Sequence, residues 1–224
     1  MASGGAQDGS SNRFRVVCFG DSITGELPGK RFTYQSQYLK FSDLLQLQLE
    51  ARLGAADVIN SGWAGDYTFK QGDRPGAVNR VQCDILDFHP DVAVVLIGGN
   101  DNPRTIEERK RTYDGLMYIV TNLQAAHIKV LLMQYHDPVV TPANETTAWR
   151  HLSLATPLIG DVAMATNVPV LDMRPVFRDA SEKHSIEQLV NVVDGVHLAP
   201  RGELIYARAI FSRIEELGWL EQHV

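Results

Sequence analysis

Residues 16–24 are Val-Val-Cys-Phe-Gly-Asp-Ser-Ile-Thr, an apolar run that ends in a glycine turn. The four apolar residues predict a short buried strand, and Gly20 allows the backbone to turn sharply after it. Ser22 then lies just past the carboxyl end of that strand, which is the edge where ligands bind in an open α/β sheet. Ser22 is therefore either a turn or helix-cap residue or a nucleophile that faces a cleft, and this motif alone does not distinguish the two.

Outward from this strand, the sequence alternates between helical and strand periods. Further strands are predicted at 57–62, 92–97, 130–133 and 168–171, and the apolar, β-branched run at 92–97 is expected to be the central one. Helices are predicted between and after them, at 41–53, about 78–86, 105–126, 149–166 and 201–217. Five strands separated by helices predict a parallel sheet with helices on both faces, a three-layer α/β/α sandwich.

Composition and charge limit the classes of function. The 224 residues are 44% hydrophobic and carry a formal net charge of −6, which suits one globular domain over 13–224. This charge argues against nucleic acid or an anionic membrane surface as a partner, because no basic stretch could displace counterions. No apolar run reaches the ~18 residues of a membrane span.

The first twelve residues are small and polar, and we expect a disordered tail or an expression remnant there. They lack the apolar core of a signal peptide. The expected location is cytoplasmic if the chain is complete as given, and secreted or periplasmic if a signal peptide was removed.

Cysteine and histidine spacing gives no sign of a metal or cofactor. Cys18 falls in a predicted strand and Cys83 in a predicted helix, without CxxC spacing, so both are expected to be free, buried thiols. The seven histidines show no metal-ligand spacing. No metal and no cofactor are expected.

Three strand-to-loop junctions carry polar groups that can meet in one cleft. The first strand ends at Ser22, the second at the segment 60–65, and the third at Gly-Gly-Asn100-Asp101. All three lie on the same edge of a parallel sheet. A hydroxyl, a backbone amide exposed by glycine and an asparagine amide are the parts that acyl transfer needs, since the attacked carbonyl becomes an oxyanion.

A candidate base lies near the C-terminus. His197 follows Asp194 by three residues, in a loop flanked by glycine and proline. Imidazole can take the proton of a serine hydroxyl, and a carboxylate can hold the imidazole tautomer and stabilise its charged form. The order Ser, Asp, His along the chain is chemically sufficient for nucleophilic catalysis.

Four blocks in this order make the sequence resemble the SGNH/GDSL hydrolase superfamily of serine esterases and lipases. They are Phe19-Gly-Asp-Ser22-Ile, Ile59-Asn-Ser-Gly-Trp-Ala-Gly65-Asp-Tyr-Thr, Ile97-Gly-Gly-Asn100-Asp and Asp194-Gly-Val-His197-Leu. The resemblance implies a flavodoxin-like three-layer fold, with Ser22 as nucleophile, His197 as base and Asp194 as its orienting partner. It also implies an oxyanion hole of the Ser22 amide, the Gly65 amide and the Asn100 side chain.

Four further residues are candidates for substrate contact. Asp21 precedes the candidate nucleophile, and its alternative role is to stabilise the turn. Trp63 and Tyr67 flank Gly65 and suit sugar or acyl-chain binding, although core packing explains them equally well. His136 forms a second His/Asp pair with the next residue, and the alternative is a rim position in a polar loop.

Loop cations at the same edge could engage a carboxylate or phosphate of the substrate, or be solvated surface charge. They are Lys30, Arg31, Arg74 and Arg104.

The predicted function is hydrolysis of carboxylic esters through an acyl-enzyme, with short acyl groups such as acetyl on a carbohydrate or other polar alcohol. One alternative is a lysophospholipase or thioesterase for medium chains, and another is a non-catalytic carbohydrate-binding domain. A flavodoxin-like nucleotide-binding protein is disfavoured, because the first loop lacks a glycine-rich phosphate cradle. The expected partner is a small-molecule or glycan ester, and the oligomeric state is not predicted.

Overall fold

A computed structural model describes residues 13–25, 38–142, 144–145 and 150–223. The predicted tail at 1–12, most of the loop predicted after Ser22, and the start of the helix predicted at residue 149 lie outside these residues. Lys30 and Arg31 lie outside them as well.

The protein forms one five-stranded sheet in which every neighbouring pair is parallel. The strands are β1 (Phe14–Gly20), β2 (Ala56–Gly62), β3 (Val92–Leu96), β4 (Lys129–Gln134) and β5 (Val170–Asp172). Their order across the sheet is β2-β1-β3-β4-β5. This confirms the predicted sheet, with the fully buried β3 at its centre, in the flavodoxin-like order that the resemblance implies.

Helices cover both faces and complete the predicted three-layer α/β/α sandwich. They are α1 (Phe41–Leu53), α2 (Ala77–Asp84), α3 (Ile106–Ala125), α4 (Thr156–Thr166), α5 (Met173–Ser181), α6 (Ile186–Leu189) and α7 (Pro200–Glu216). Helix α1 packs against α7, whereas α3 packs against both α2 and α4. In the part of the chain that is described, no helix is long and apolar enough to cross a membrane.

The structure differs from the predicted elements in several places; β5 begins at Val170 rather than at residue 168, and the short α6 was not predicted. The helix predicted at 149–166 is divided into a 3-10 turn (Arg150–Leu154) and α4, where Pro157 occupies the first turn because it has no amide hydrogen to donate. Helix α2 ends at Asp84, because Ile85 leaves the helical region at φ −135°, and a 3-10 turn follows it. Helix α5 was not predicted; it follows β5 directly, and the Asp172 side chain caps it.

The two cysteines differ in their exposure to solvent. Cys18 is buried in β1, as expected, and burial raises its thiol pKa to about 12. The prediction of a buried thiol is wrong for Cys83, because its position on α2 faces solvent.

The sheet register brings three strand ends to one point. Gly20 at the end of β1 pairs with Gly62 of β2 on one side and Leu96 of β3 on the other. β2 lies on one side of β1 and β3 lies on the other, so the strand order reverses its direction at β1. Doubly wound sheets bind ligands at such a topological switch point. Residues just after these three positions therefore share one cleft.

Candidate active site

Ser22 lies in a tight turn directly after β1. A Cβ on Gly20 would lie 2.4 Å from the Leu96 carbonyl oxygen, so the close approach of β1 and β3 requires glycine there. The amides of Thr24 and Gly25 donate to the Asp21 carbonyl over 3.1 and 2.9 Å and close the turn. This turn holds Ser22 at 5% exposure, at the edge of the sheet.

Ser22, His197 and Asp194 form one hydrogen-bonded row. The Ser22 Oγ lies 2.8 Å from His197 Nε2, and His197 Nδ1 lies 3.0 Å from Asp194 Oδ2. The other oxygen of Asp194 accepts the amides of Val196 and His197, each over 2.9 Å. A hydroxyl, an imidazole and a carboxylate are thus within hydrogen-bond reach of one another, which is the geometry that a catalytic triad requires.

The loop that carries Asp194 and His197 is fixed by its own backbone and by the loop after β4. Gly195 has φ +72°, and a Cβ there would lie 2.2 Å from the Val139 carbonyl oxygen. The Val139 amide donates to the Gly195 carbonyl over 2.8 Å, and the Asn191 amide donates to the His197 carbonyl over 2.7 Å. These contacts fix the backbone that carries His197.

The environment of Asp194 favours its charged form. Burial opposes ionisation, but the hydrogen bonds and charge of His197 outweigh it, so the pKa of the Asp194 carboxyl lies below its ordinary value. Asp194 can therefore stabilise an imidazolium at His197 without taking up a proton itself.

Gly65 and Asn100 lie in the loops that follow β2 and β3. Gly65 has φ +72°, a left-handed conformation that favours glycine. The Asn100 Nδ2 donates to the Asp66 carbonyl over 2.9 Å, which ties the two loops together. An amide nitrogen carries two hydrogens, so this contact orients Asn100 and leaves one hydrogen for a ligand.

A buried arginine that the sequence analysis did not single out lies beneath these loops. Arg80 is 3% exposed, and its guanidinium donates to Asp66 Oδ2 over 2.9 Å, the Gly20 carbonyl over 3.2 Å and the Ser61 carbonyl over 3.1 Å. It therefore joins the ends of β1 and β2 to the loop of Gly65. The signal in the sequence is its position three residues after Ala77, on the apolar face of α2.

Asp21 lies under the turn rather than in the cleft. It is 1% exposed; its Oδ2 accepts the Tyr135 hydroxyl over 2.6 Å and its Oδ1 accepts the Ile23 amide over 3.1 Å. Burial raises the pKa of the Asp21 carboxyl to about 6, against the lowering effect of both donors. The geometry matches the turn-stabilising alternative, because both carboxylate oxygens accept donors of the protein itself.

His136 is inside the core, so the alternative of a rim position is wrong, whereas its contact with substrate stays a prediction. It is 1% exposed; its Nδ1 lies 2.7 Å from the Tyr206 hydroxyl, and its ring stacks on Phe177 at 4.2 Å between centroids. Burial lowers the pKa of His136 to about 3, which keeps the ring neutral. The residues next to His136 in the sequence are polar, so the sequence did not indicate this apolar environment.

Trp63 and Tyr67 are both half-buried beside Gly65. The Trp63 ring lies under the Arg80 guanidinium, 5.8 Å from the ring centroid. Tyr67 lines a small polar cavity together with Phe69, Asp101 and Arg111. Among the residues that the structure describes, no three His, Cys, Asp or Glu side chains come together as a possible metal site.

The fold resembles known hydrolases. LAE5, an alpha/beta hydrolase from the metagenome of Lake Arreo, and Axe2, an acetylxylan esterase from Geobacillus stearothermophilus, each share 20% identity and a TM-score of 0.68 with this chain. The alignments cover 89% and 90% of this chain and 94% of each of theirs. A lipase/acylhydrolase from Enterococcus faecalis has 20% identity and a TM-score of 0.67, with 91% of this chain and 96% of its own covered.

A family comparison covers the whole candidate site. No significant relative was found among curated proteins. Residues 18–204, which include every residue of the Ser22, Asp194 and His197 row and both loops beside it, match the model of the GDSL-like lipase/acylhydrolase family. The chain therefore belongs to this family and is a carboxylic ester hydrolase of the GDSL type.

Proposed function

We propose that the protein hydrolyses short-chain esters of polar alcohols through an acyl-enzyme formed on Ser22. The observation that carries this proposal is the continuous row of hydrogen bonds from Ser22 through His197 to Asp194, at 2.8 and 3.0 Å. A serine hydroxyl is a poor nucleophile until a base takes its proton, and this row supplies the base and its orienting partner.

In the proposed reaction, His197 takes the proton of Ser22 while the oxygen attacks the ester carbonyl. The resulting oxyanion accepts hydrogen bonds from the amides of Ser22 and Gly65 and from Asn100. His197 then gives its proton to the leaving alcohol, which leaves the acyl group on Ser22. Water attacks this acyl-enzyme by the same route and releases the acid, while Asp194 stabilises the imidazolium in both halves.

The acyl group in this proposal is acetyl, and the alcohol is a carbohydrate or another polar alcohol. Support comes from the half-buried aromatic rings of Trp63 and Tyr67 beside the candidate oxyanion donor Gly65, since aromatic faces suit sugar rings. Axe2, which shares the fold, is an acetylxylan esterase. A lysophospholipase or thioesterase would instead prefer medium acyl chains, and a carbohydrate-binding domain would bind without turnover.

The test is hydrolysis of p-nitrophenyl esters from acetate to decanoate by the wild type and Ser22→Ala. We expect the highest kcat/KM on acetate and loss of turnover in Ser22→Ala. The control is Ser181→Ala, an exposed serine at the end of α5 whose hydroxyl only donates to the Arg178 carbonyl, and it should behave like the wild type. Equal activity of Ser22→Ala and wild type would refute the mechanism, and an optimum at medium chains would refute the acetyl assignment.

A further inference from the structure

The guanidinium of Arg74 packs directly against Gly65. Its Nε and Nη2 both lie 3.3 Å from the position that a Cβ would occupy on Gly65. Because a Cβ lies about 2.5 Å from its own amide nitrogen, both guanidinium nitrogens are within about 6 Å of the Gly65 amide. A full positive charge therefore lies beside one of the proposed oxyanion donors.

The backbone holds Arg74 in this position. The Arg74 amide donates to the Gln71 carbonyl over 3.0 Å, and the Gln71 amide donates back over 3.3 Å, so a tight turn carries the side chain. At the base of this loop the Ala77 amide donates to the Tyr67 carbonyl over 2.8 Å, and the Gly76 amide donates to Asp66 Oδ1 over 2.9 Å. The loop thus returns to Gly65 along a fixed path.

No group within the described ranges makes a hydrogen bond or ion pair with the Arg74 guanidinium, although the side chain is half-buried. Asp66, an acidic residue of the same loop, already accepts Arg80 and the Gly76 amide, and no ion pair joins Asp73 to Arg74 among the described residues. Asp101 also has a partner already, because it accepts the Thr68 amide over 2.8 Å. A partly desolvated charge without a partner is unfavourable by itself, and an anionic ligand would compensate for it.

We propose that Arg74 binds a carboxylate of the substrate, so that the preferred esters are acetylated alcohols that also carry a carboxylate, such as a sugar acid. A guanidinium fork matches the geometry of a carboxylate, and a single cation suits a single negative charge. Because the acyl group proposed above is too small to carry it, the carboxylate belongs to the alcohol. This inference rests on the proposed esterase function and specifies its substrate class.

The test measures acetate release from two acetyl esters, 3-acetoxybenzoate and its methyl ester, in which a methyl group replaces the negative charge. The quantity measured is the ratio of kcat/KM on the acid to kcat/KM on the methyl ester. We expect Arg74→Gln to lower this ratio by about tenfold, the order expected for loss of a charge-assisted hydrogen bond. Arg74→Lys should retain part of the wild-type ratio. Added salt should lower the ratio of the wild type, because it screens the attraction between the two charges.

The control is Lys110→Gln, which removes an exposed cation of α3 that pairs with Asp114 instead. It should leave the ratio unchanged. A fall of less than threefold in Arg74→Gln, or an equal loss on both esters, would overturn the role of Arg74 in selecting charge. If the wild type hydrolyses the methyl ester in a Ser22-dependent way, such a result refutes this inference alone; if it hydrolyses neither ester, both proposals fail.

Discussion

The Tyr135 hydroxyl donates to Asp21 Oδ2 over 2.6 Å and accepts the Gly99 amide over 3.1 Å. Asp21 precedes Ser22, and Gly99 precedes Asn100, so one buried phenol joins the turn of the proposed nucleophile to the turn of a proposed oxyanion donor. The spacing between these two groups decides whether a tetrahedral intermediate fits.

Tyr135→Phe removes this link without changing the shape of the side chain. We expect kcat to fall with little change in KM, because the donors are displaced but the substrate pocket is not. The free energy of unfolding should fall by about 1–3 kcal/mol, since the Asp21 carboxylate loses a buried donor. An unchanged kcat in a destabilised Tyr135→Phe would show that the link is structural only.

Asp21 should make the stability of the protein depend on pH. Its pKa is raised to about 6 in the folded state. The Asp21 carboxyl therefore contributes most to the free energy of unfolding below its ordinary pKa near 4, and that contribution is lost as the pH rises through 6. His136, with a pKa lowered to about 3, acts in the opposite direction over the same range. The free energy of unfolding of the wild type must therefore be compared with that of Asp21→Asn at each pH.

The difference in unfolding free energy between Asp21→Asn and wild type should shift in favour of the variant between pH 4 and pH 7, by up to about 3 kcal/mol. Urea titrations at several pH values measure it. A difference that is constant over this range would mean that Asp21 ionises in the folded protein as easily as in the unfolded chain.

Arg80 and Asp66 form a buried ion pair at 2.9 Å, with side chains that are 4% and 0% exposed. Arg80→Met should lower the free energy of unfolding by about 3–5 kcal/mol, because it leaves a buried carboxylate without its partner. The matched control is Arg52→Met, which breaks a surface pair with Glu215 and should cost less than about 1 kcal/mol. Similar losses in the two variants would contradict the proposed role of Arg80 in holding the strand ends.

Asn100→Ala tests the proposed oxyanion hole. Removal of one donor typically lowers kcat by about 10² to 10³, and we expect a loss of this size in a folded protein. Asn122→Ala, which removes a half-buried amide of α3 that donates to the Tyr118 carbonyl, controls for removal of an asparagine amide. Near-normal turnover by a folded Asn100→Ala would remove Asn100 from the mechanism.

The strands, and the edge of the sheet that carries the candidate site, could be predicted from the sequence. Gly20 and Gly98 directly follow apolar runs and Gly62 ends β2, and the parallel sheet follows from the alternation of these strands with helices. The strand order then brings Ser22, Gly65 and Asn100 to one edge, because residues that follow adjacent parallel strands must lie close together.

The sequence was uninformative where a polar residue is buried by distant partners. Arg80 lies on the same face of α2 as Ala77, but only the fold brings its guanidinium to Asp66 and the Gly20 carbonyl. His136 follows a strand in a polar segment, and its burial depends on Phe177 and Tyr206, which come from helices much later in the chain. Such burial arises from tertiary packing, which local patterns do not encode.

The formation of a covalent intermediate on Ser22 can be tested most directly by mass spectrometry. The protein is mixed with p-nitrophenyl acetate, quenched in acid at short times, digested and mapped, with Ser22→Ala and His197→Ala as controls. We predict an added acetyl group on the peptide that contains Ser22, which appears during turnover in the wild type and is absent from Ser22→Ala and strongly reduced in His197→Ala. Turnover with no acetyl group on Ser22, or with acetylation that does not depend on His197, would contradict the acyl-enzyme mechanism.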